Sequence, residues 1–278
     1  MEFVRKALSR KRPPSFVSKE LPVKITLLPS GISPSGDNPN QYSTSYLIND
    51  AVAIDAGAIG FYQGPPEQAA IRHVFLSHTH MDHLASLPAF LENVAGVNQT
   101  PVTLHASAEA QECLRRDLFN GRVWANFLEL THDNKQFVIL DMIESGRPVQ
   151  VEGLRITPVS VHHVVPTLGF ILEDQTAAIV ISSDTGPTQE IWARANKTPN
   201  LKAVFLEATF PDRFTRLSEI TMHLTPAGFA REMQKLARPV TFFAVHLKAR
   251  YRESLTQELL ALKLANLEIA KLGMTYEF

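Results

Sequence analysis

The sequence predicts a layered α/β domain in which two sheets are covered on their outer faces by helices. Short apolar runs rich in β-branched residues recur along the chain and are typical of strands, and helix-capping signals lie between some of them. Hydrophobic residues make up 45% of the 278 residues, which is enough for a substantial core. Because no repeat or long low-complexity linker divides the chain, we expect a single domain over residues 1–278, with residues 1–20 as a basic N-terminal extension.

The predicted strands are short and rich in Val, Ile, Leu and Phe. In chain order they cover residues 24–28, 45–48, 51–54, 74–76, 102–104, 154–161, 168–172, 177–181, 203–206 and 240–245. Between the first two strands, residues 29–40 are rich in Pro, Gly, Ser and Asn and are predicted to form a loop.

Helices are predicted where a capping residue precedes apolar residues at helical spacing. Ser107 is expected to cap a helix that runs to Leu118. Thr225 followed by Pro226 forms a typical N-cap and first-turn pair. Residues 253–271 are predicted to form a long terminal helix, because leucines recur along one face of that segment.

Charge and cysteine content limit the functional classes. The net charge is −1, so no global basic field attracts nucleic acid, and a nucleic-acid partner is disfavoured. The single Cys113 excludes an intrachain disulfide and a Cys-rich zinc finger, and it fits a reducing compartment. Because the chain has neither a long apolar run nor an apolar segment after its basic start, we expect no membrane span, no secretory signal and a cytoplasmic location.

Residues 78–83 read His-Thr-His-Met-Asp-His and place four potential metal ligands close together. On an extended turn, His78 and His80 can point at one cation, while Asp82 and His83 fall toward a second cation beside it. Imidazole and carboxylate ligands together suit Zn²⁺, Mn²⁺ or Fe. A helix face that is His-rich by chance would explain this stretch alone, but not the ligand-type residues that recur downstream.

Those downstream residues follow other predicted strands. His163 with its neighbour His162, then Asp184, then His246 each come directly after an apolar run. Sites are commonly assembled at the carboxyl ends of strands, because rigid backbone ends there and loops begin. One buried His at a strand end is usually a hydrogen-bonded core residue, but several strand ends that present His or Asp together predict a metal site.

These motifs resemble those of the metallo-β-lactamase superfamily. Residues 46–57 (YLINDAVAIDAG) resemble its opening of two strands and an Asp-x-Gly segment, and residues 75–83 (FLSHTHMDH) resemble its metal loop. Residues 161–169 (VHHVVPTLG) resemble the segment with the third His, and their spacing selects His163 over His162. Residues 182–187 (SSDTGP) resemble the segment with the bridging Asp, although Ser183 stands where Gly is usual. The resemblance implies a four-layer αββα sandwich with a dinuclear metal site.

Further segments resemble the class II cyclic-nucleotide phosphodiesterases within that superfamily. They are residues 118–127, 205–210 (FLEATF), 222–226 (MHLTP) and 245–248 (VHLK). The sequence departs from that family at Ala125, which stands where Pro is usual, and at Ala85-Ser86, where residues that include Gly usually follow the metal loop. These departures bear on the identity of the substrate more than on metal binding.

The resemblance implies a role for each site residue. It assigns to the first of two divalent cations His78, His80 and His163, to the second Asp82, His83 and His246, and to both, as a bridge, Asp184. Zinc is the expected metal, and manganese or iron fit the same ligands. A hydroxide shared by the two cations would attack phosphorus, with the ribose 3′ oxygen as leaving group.

The remaining assigned residues would handle the proton and the phosphate. His223 lies outside the set of seven ligands and is expected to be the general acid, with Glu207 holding its other ring nitrogen. His223 and Glu207 form the expected catalytic set together with Asp82. Lys248 and Arg250 follow His246 and are expected to bind a phosphate oxygen, although solvated loop charges would explain them equally well.

Three functions compete on this reading. The first is a phosphodiesterase that converts 3′,5′-cyclic nucleotides such as cyclic AMP and cyclic GMP to 5′-nucleotides, with that small molecule as partner. The second resembles ribonuclease Z, a tRNA 3′-end endonuclease, through residues 207–210, the His223-x-Thr element and the Arg250-Tyr251 pair after His246. The chain lacks a long Gly/Pro-rich insertion that resembles the tRNA-grasping arm of that family, which favours the first function. The third is a metal-bearing module that binds nucleotides without turnover. Relatives often form homodimers, but the sequence leaves the oligomeric state open.

Overall fold

The computed structural model describes residues 22–30, 40–95, 97–98, 100–132 and 135–278. The basic extension over residues 1–20 and most of the predicted loop over residues 29–40 lie outside the described residues. The described residues form two seven-stranded sheets and one two-stranded hairpin.

The first sheet brings together strands from both ends of the chain. Its strands are β1 (Lys24–Leu27), β2 (Tyr46–Ile48), β3 (Val52–Ile54), β4 (His73–Phe75), β5 (Val102–Ala106), β8 (Val138–Met142) and β16 (Thr275–Glu277), and β6 (Thr131–His132) pairs with β7 (Lys135–Gln136) in the hairpin. The strand order is β16-β1-β2-β3-β4-β5-β8. From β3 to β8 the neighbours run parallel, so the carboxyl ends of β3 and β4 share one edge of the sheet.

The second sheet is built from the carboxyl-terminal half of the chain. Its strands are β9 (Val149–Val151), β10 (Leu154–Val161), β11 (Thr167–Glu173), β12 (Ala178–Ile181), β13 (Leu201–Glu207), β14 (Thr241–Val245) and β15 (Leu267–Ile269). The order is β15-β14-β13-β12-β11-β10-β9. The four strands from β12 to β15 run parallel, and their carboxyl ends also lie at one edge.

Eight α-helices accompany these sheets in the described residues. They are α1 (Pro65–Gln68), α2 (Met81–Leu84), α3 (Leu87–Val94), α4 (Ala108–Cys113), α5 (Glu190–Ala195), α6 (Thr215–Thr221), α7 (Pro226–Met233) and α8 (Arg252–Ala261), and α4 continues as a π-helical turn over Leu114–Leu118. No helix among the described residues combines the length and the apolar character needed to cross a bilayer.

Three buried clusters define four layers. One cluster lies between the two sheets, a second lies between the first sheet and α3 with α4, and a third lies between the second sheet and α5, α7 and α8. Strand β12 shows how the sequence produces this arrangement. Ile179 and Ile181 enter the cluster between the sheets, whereas Ala178 and Val180 enter the outer cluster, because successive side chains of a strand point to opposite faces. The predicted sandwich of two sheets covered by helices is therefore confirmed.

Two of the three predicted helices are confirmed at their starts. Ser107 Oγ accepts a hydrogen bond from the Ala110 N–H at the start of α4, and Thr225 Oγ1 accepts one from the Gly228 N–H at the start of α7. Each cap satisfies a backbone donor that has no partner within the helix. The predicted strands over residues 154–161 and 240–245 also recur, as β10 and β14.

The predicted terminal helix over residues 253–271 is wrong in its second half. Helix α8 ends at Ala261, Lys263 has a φ of 51°, and β15 follows as a parallel neighbour of β14. Leu267 and Ile269 are two residues apart, which places both on one face of a strand, where they pack against the third cluster. The strand pattern of β15 covers only three residues, and these lie in a segment whose apolar residues also fit the spacing of a helix.

Candidate metal centre

The loop after β4 and the short helix α2 position the first four ligand-type side chains. His78 is fully buried at the base of the loop, and His80 is the extended residue that precedes α2. The loop is held from below by backbone hydrogen bonds, in which the Thr44 N–H donates to Asp82 O at 2.7 Å and the Ala56 N–H donates to His83 O at 2.7 Å. This close approach requires Gly57, because a Cβ there would lie 2.1 Å from Asp82 O.

The other three ligand-type residues come from the second sheet. His163 follows β10, Asp184 follows β12, and His246 follows β14. One group of ligand atoms, all within 4.8 Å of one another, contains His78, His80, His163 and Asp184, and a second contains Asp82, His83 and His246. The structure thus brings together all seven residues predicted as metal ligands, whereas the neighbouring His162 is exposed and lies outside both groups.

Asp184 lies between the two groups. Its Oδ2 is 3.3 Å from His83 Nε2 and 3.8 Å from His78 Nε2, and its Oδ1 is 3.5 Å from His246 Nε2. The second group is closed by Asp82, whose Oδ2 is 3.3 Å from His246 Nε2. Asp184 is therefore close to side chains of both groups, which is the position that a bridging ligand needs.

A divalent cation fits these residues. His78 Nε2 and His83 Nε2 are buried without a hydrogen-bond partner, although each ring is fixed on its other side. Buried polar atoms without partners are costly and rare, so two such nitrogens that face the same carboxylate fit a site for a cation. The set of five imidazoles and two carboxylates suits Zn²⁺, Mn²⁺ or Fe.

The Nδ1 atoms of four of these imidazoles are occupied by the protein. His83 Nδ1 lies 2.6 Å from Asp55 Oδ2, and His78 Nδ1 lies 2.9 Å from Ser77 Oγ. The remaining two bonds join His163 Nδ1 to Met222 O at 3.0 Å and His246 Nδ1 to Thr209 Oγ1 at 2.9 Å. Such bonds fix the tautomer and the ring orientation, and they leave Nε2 free for a cation.

Charge and burial act on the protonation of the cluster in opposite directions. Burial lowers the pKa of His78 well below its usual value and also lowers the pKa of His163. Burial alone would lower the pKa of His83 as well, but the carboxylates of Asp184 and Asp55 raise it well above the usual value. Burial would raise the pKa of Asp184, but nearby His246 and His83 hold it well below its usual range. Burial would also raise the pKa of Asp82, but the hydrogen bond with His246 lowers it. Both carboxylates of the cluster are therefore held ionised.

His223 and Glu207 form a buried pair beside the cluster. His223 Nδ1 lies 2.7 Å from Glu207 Oε1, and the His223 ring is stacked on His246 with centroids 5.6 Å apart. Glu207 is 1% exposed and also accepts bonds from Thr185 N, Thr209 Oγ1 and Leu224 N. Burial would lower the pKa of His223, but the Glu207 carboxylate raises it. A ring nitrogen of His223 also lies within 4.8 Å of ligand atoms of Asp184 and His246.

The predicted phosphate-binding residues follow His246 along the chain, and Lys248 lies beside the second group. Lys248 Nζ is 3.7 Å from Asp82 Oδ2, and its side chain is 42% exposed. Arg250 is exposed, and its guanidinium lies over the Tyr251 ring at 5.5 Å. Their roles, like those of the other assigned residues, stay predictions.

Sequence reasoning missed the residues that hold the ligands in place. Gln41 Oε1 accepts the His246 backbone N–H at 2.9 Å, and Asp55 accepts both the N–H and the hydroxyl of Ser77. Asp55 stands in the Asp-x-Gly segment and Thr209 in the segment 205–210, so both were visible in motifs but without a role. Gln41 stands in no motif, and only the folded chain reveals it.

Some histidines and aromatics lie away from the cluster. His105 Nε2 is 3.0 Å from His73 Nδ1, and His105 Nδ1 is 2.7 Å from Asp141 Oδ2. Phe119 and Phe127 are buried in the second cluster, with Trp124 packed against them, so they serve as core and not as a stacking surface.

Comparisons with known proteins agree with this geometry. The model of the family described as "Beta-lactamase superfamily domain" matches residues 52–247. A probable 3′,5′-cyclic-nucleotide phosphodiesterase from Yersinia pestis is 26% identical over 192 residues, which cover 63% of this chain and 53% of that protein. A 3′,5′-cyclic-nucleotide phosphodiesterase from Candida albicans is 24% identical over 164 residues, which cover 56% of this chain and 36% of that protein. This chain therefore spans about half the length, or less, of these two relatives.

Solved structures show the same fold. The crystal structure of unliganded yeast PDE1 has a TM-score of 0.75 at 14% identity and covers 93% of this chain and 100% of that chain. The short form of human tRNase Z has a TM-score of 0.63 at 15% identity and covers 91% of this chain and 98% of that chain. At these identities the likeness concerns the fold and leaves the reaction to be argued from the site.

Proposed function

Since this chain belongs to the β-lactamase superfamily, we propose that it is a dinuclear-metal phosphodiesterase that hydrolyses 3′,5′-cyclic nucleotides, among them cyclic AMP and cyclic GMP, to 5′-nucleotides. The observation that carries the proposal is the convergence of seven ligand-type side chains beside an imidazole held by a carboxylate, the His223–Glu207 pair. The substrate is supported by two relatives named as 3′,5′-cyclic-nucleotide phosphodiesterases. It is also supported by the net charge of −1, which offers no general attraction for a polyanion.

In this proposal the two groups of side chains hold one divalent cation each. The first cation would be held by His78, His80 and His163, the second would be held by Asp82, His83 and His246, and Asp184 would serve both. Zinc is the first choice of metal, with manganese or iron as alternatives. When bound, such a pair supplies a nucleophilic water at neutral pH and neutralises negative charge on the phosphoryl oxygens.

His223 is proposed to supply the proton that the leaving oxygen needs. Glu207 accepts from Nδ1, which leaves Nε2 to donate to the substrate. Water adds to phosphorus, the bond between phosphorus and the ribose 3′ oxygen breaks, and the proton passes from Nε2 to that oxygen. Lys248 and Arg250 are proposed to hold a phosphoryl oxygen, because both cationic side chains follow His246 along one loop.

The second candidate is cleavage at the 3′ end of precursor tRNA. It is favoured by the fold likeness to the short form of human tRNase Z and by the Arg250-Tyr251 pair after His246. The same ligands and the same His223 would serve a linear phosphodiester, so the two candidates differ in substrate and not in the metal centre.

The test combines metal analysis with a substrate panel on the full chain. The protein is loaded in turn with Zn²⁺, Mn²⁺ or Fe²⁺ and given cyclic AMP, cyclic GMP, 2′,3′-cyclic AMP, a linear phosphodiester and precursor tRNA. Release of 5′-AMP and 5′-GMP with about two metals bound per chain is the expected result. Processing of precursor tRNA without hydrolysis of cyclic nucleotides would establish the second candidate instead, and tight binding of cyclic AMP without turnover would establish a non-catalytic module.

The role of His223 is tested by replacement with alanine. We expect His223→Ala to lower kcat about a hundredfold or more while metal content is unchanged, because general acid catalysis contributes on that scale. His162→Ala is the matched control, since that exposed histidine lies outside both ligand groups. Loss of metal from His223→Ala would show that His223 is a ligand and that its assignment as the acid is wrong.

A further inference from the structure

Two short loops beside the metal centre each carry an arginine followed by an aromatic residue. One is the 3-10 turn Asp212–Phe214, which comes directly after the segment with Glu207 and Thr209. The other is the 3-10 turn Ala249–Tyr251, which comes directly after His246 and Lys248. Both loops therefore begin at the centre, and their Arg-aromatic pairs lie next to each other, with the Phe214 and Tyr251 rings 5.1 Å apart.

The aromatic rings form a continuous series that starts at His223. The Phe210 ring meets the His223 ring edge to face at 5.8 Å, and the Tyr251 ring lies 6.1 Å from the Phe210 ring. The Phe214 ring then lies 5.1 Å from the Tyr251 ring at an interplanar angle of 41°. We call Phe210, Tyr251 and Phe214 the aromatic row.

Both guanidinium groups lie on the aromatic row. Arg213 Cζ is 4.9 Å from the Phe214 ring centroid and 5.9 Å from that of Tyr251, and Arg250 Cζ is 5.5 Å from that of Tyr251. The Arg213 side chain is 55% exposed although it pairs with Glu258 at 3.7 Å. A planar cation over a ring is itself a surface on which a base can stack.

Core packing explains only part of this arrangement. Among the clusters formed by the described residues, Tyr251 packs against the third cluster, whereas Phe210 and Phe214 belong to none of the three. Tyr251 and Phe214 are half-buried, so each of these two rings keeps an accessible part, whereas Phe210 is 8% exposed and joins the row to His223. Flat rings with accessible surface, combined with cations and adjacent to a site for phosphate, fit a ligand that is both planar and anionic.

We infer that the aromatic row, with Arg213, binds the nucleobase of the substrate while its phosphate occupies the metal centre. The inference rests on the proposed function, and it adds which part of the molecule recognises the base. Stacking on aromatic rings tolerates different bases because every base has a π-face, so the row predicts that purine cyclic nucleotides are accepted with similar KM.

The test separates recognition of the base from hydrolysis of the phosphodiester. Phe214→Ala, Tyr251→Ala and Tyr251→Phe are compared with the wild type on cyclic AMP and on 1-O-methylribose 3′,5′-cyclic phosphate, which has the same cyclic diester but no base. We expect both alanine variants to raise KM for cyclic AMP about tenfold with kcat within about twofold, while KM for the baseless diester does not change. Tyr251→Phe keeps the ring and is expected to retain the wild-type KM.

The control variant is Phe61→Ala. The Phe61 side chain is 55% exposed, and none of the ring contacts among the described residues joins it to a histidine of the centre. A similar rise of KM in Phe61→Ala, or an equal rise on both diesters in Tyr251→Ala, would mean that the loss is not specific to the base. Thermal unfolding of each variant identifies any that fail to fold.

Equilibrium binding keeps this inference separate from the proposed function. Calorimetric titration of 5′-AMP and of ribose 5-phosphate into the wild type and Phe214→Ala needs no turnover. A wild type that hydrolyses cyclic AMP, with unchanged KM and 5′-AMP affinity in both alanine variants, would overturn the inference and leave the function standing. A wild type with no hydrolysis of cyclic nucleotides would overturn the function, and the inference would then stand only if Phe214→Ala weakens binding of 5′-AMP and not of ribose 5-phosphate.

Discussion

The hydroxyl of Thr209 connects the two halves of the candidate centre, and its removal gives the sharpest test of the geometry. Thr209 Oγ1 accepts from His246 Nδ1 at 2.9 Å and donates to Glu207 Oε2 at 2.6 Å. Through that one oxygen, the carboxylate that holds His223 also fixes the tautomer of His246, a predicted ligand. Thr209→Val keeps the shape of the side chain and removes the hydroxyl, together with its longer contacts to His223 Nδ1 at 3.3 Å and to His246 O at 3.4 Å.

The expected magnitude follows from what each partner loses. Glu207 Oε2 keeps the Leu224 N–H at 3.2 Å, so the carboxylate is still bonded. His246 is 6% exposed, and its Nδ1 loses the hydroxyl that fixed it. Leaving a buried donor unsatisfied costs about 1–3 kcal/mol of unfolding free energy. Loss of a group that orients a metal-bound histidine lowers metal affinity about 10–100-fold, which corresponds to about 1.4–2.7 kcal/mol.

The assay is a competition for Zn²⁺ against a chromophoric chelator, together with urea unfolding of the metal-free protein. Thr209→Ser restores the hydroxyl and should recover most of the affinity. Thr198→Val is the matched control, because Thr198 is 8% exposed and its hydroxyl donates to Arg194 O in helix α5. An affinity of Thr209→Val within twofold of the wild type would refute the claim that this hydroxyl orients His246.

Two further predictions concern the support of the metal loop and a polar network far from it. Gly57→Ala should lower the metal content of the centre and destabilise the fold, because the new Cβ would lie 2.1 Å from Asp82 O and 2.8 Å from Thr44 N. Metal analysis checks this. Gly64→Ala is the control and should have little effect, because the nearest atom to its Cβ belongs to a flexible side chain at 3.2 Å. Burial lowers the pKa of His105, so the folded protein resists a proton that the unfolded chain accepts below about pH 6.5. The stability that neutral His105 provides, beside His73 and Asp141, is therefore lost as pH falls. The difference in unfolding free energy between metal-free wild type and metal-free His105→Gln should shrink from pH 7.5 to pH 5.5. A difference that grows on acidification would contradict this sign.

The parts of the fold that sequence predicted are those with a strong local pattern. Strands such as β12 and β13 are buried on both faces, so they read as continuous apolar runs. Helices α4 and α7 begin at side-chain caps that are recognisable in sequence. The side chains that converge could be found in the sequence because four of them stand in one short motif and the others follow apolar strands.

The elements that escaped prediction lack such patterns. Strand β8 lies at the edge of its sheet, where Val138 is buried and its other residues are intermediate or exposed, and β16 is short and polar. Helices α2 and α5 are short and begin without a side-chain cap. The contacts that support the site are even harder to predict from sequence, since Gln41 binds the backbone of His246 from 205 residues away along the chain. No local spacing encodes a contact of that kind.

The centre stands on the seam between the two sheets, with the metal loop on one side and His163, Asp184 and His246 on the other. Each ligand group draws side chains from both sides of that seam. Cations bound there would link the two sheets, so the sheets could separate at this edge only after the cations are released. Metal loading should therefore slow amide hydrogen exchange in both sheets together at this edge, while the opposite edge, where the Arg72 guanidinium pairs with the Glu152 carboxylate, keeps its own opening rate.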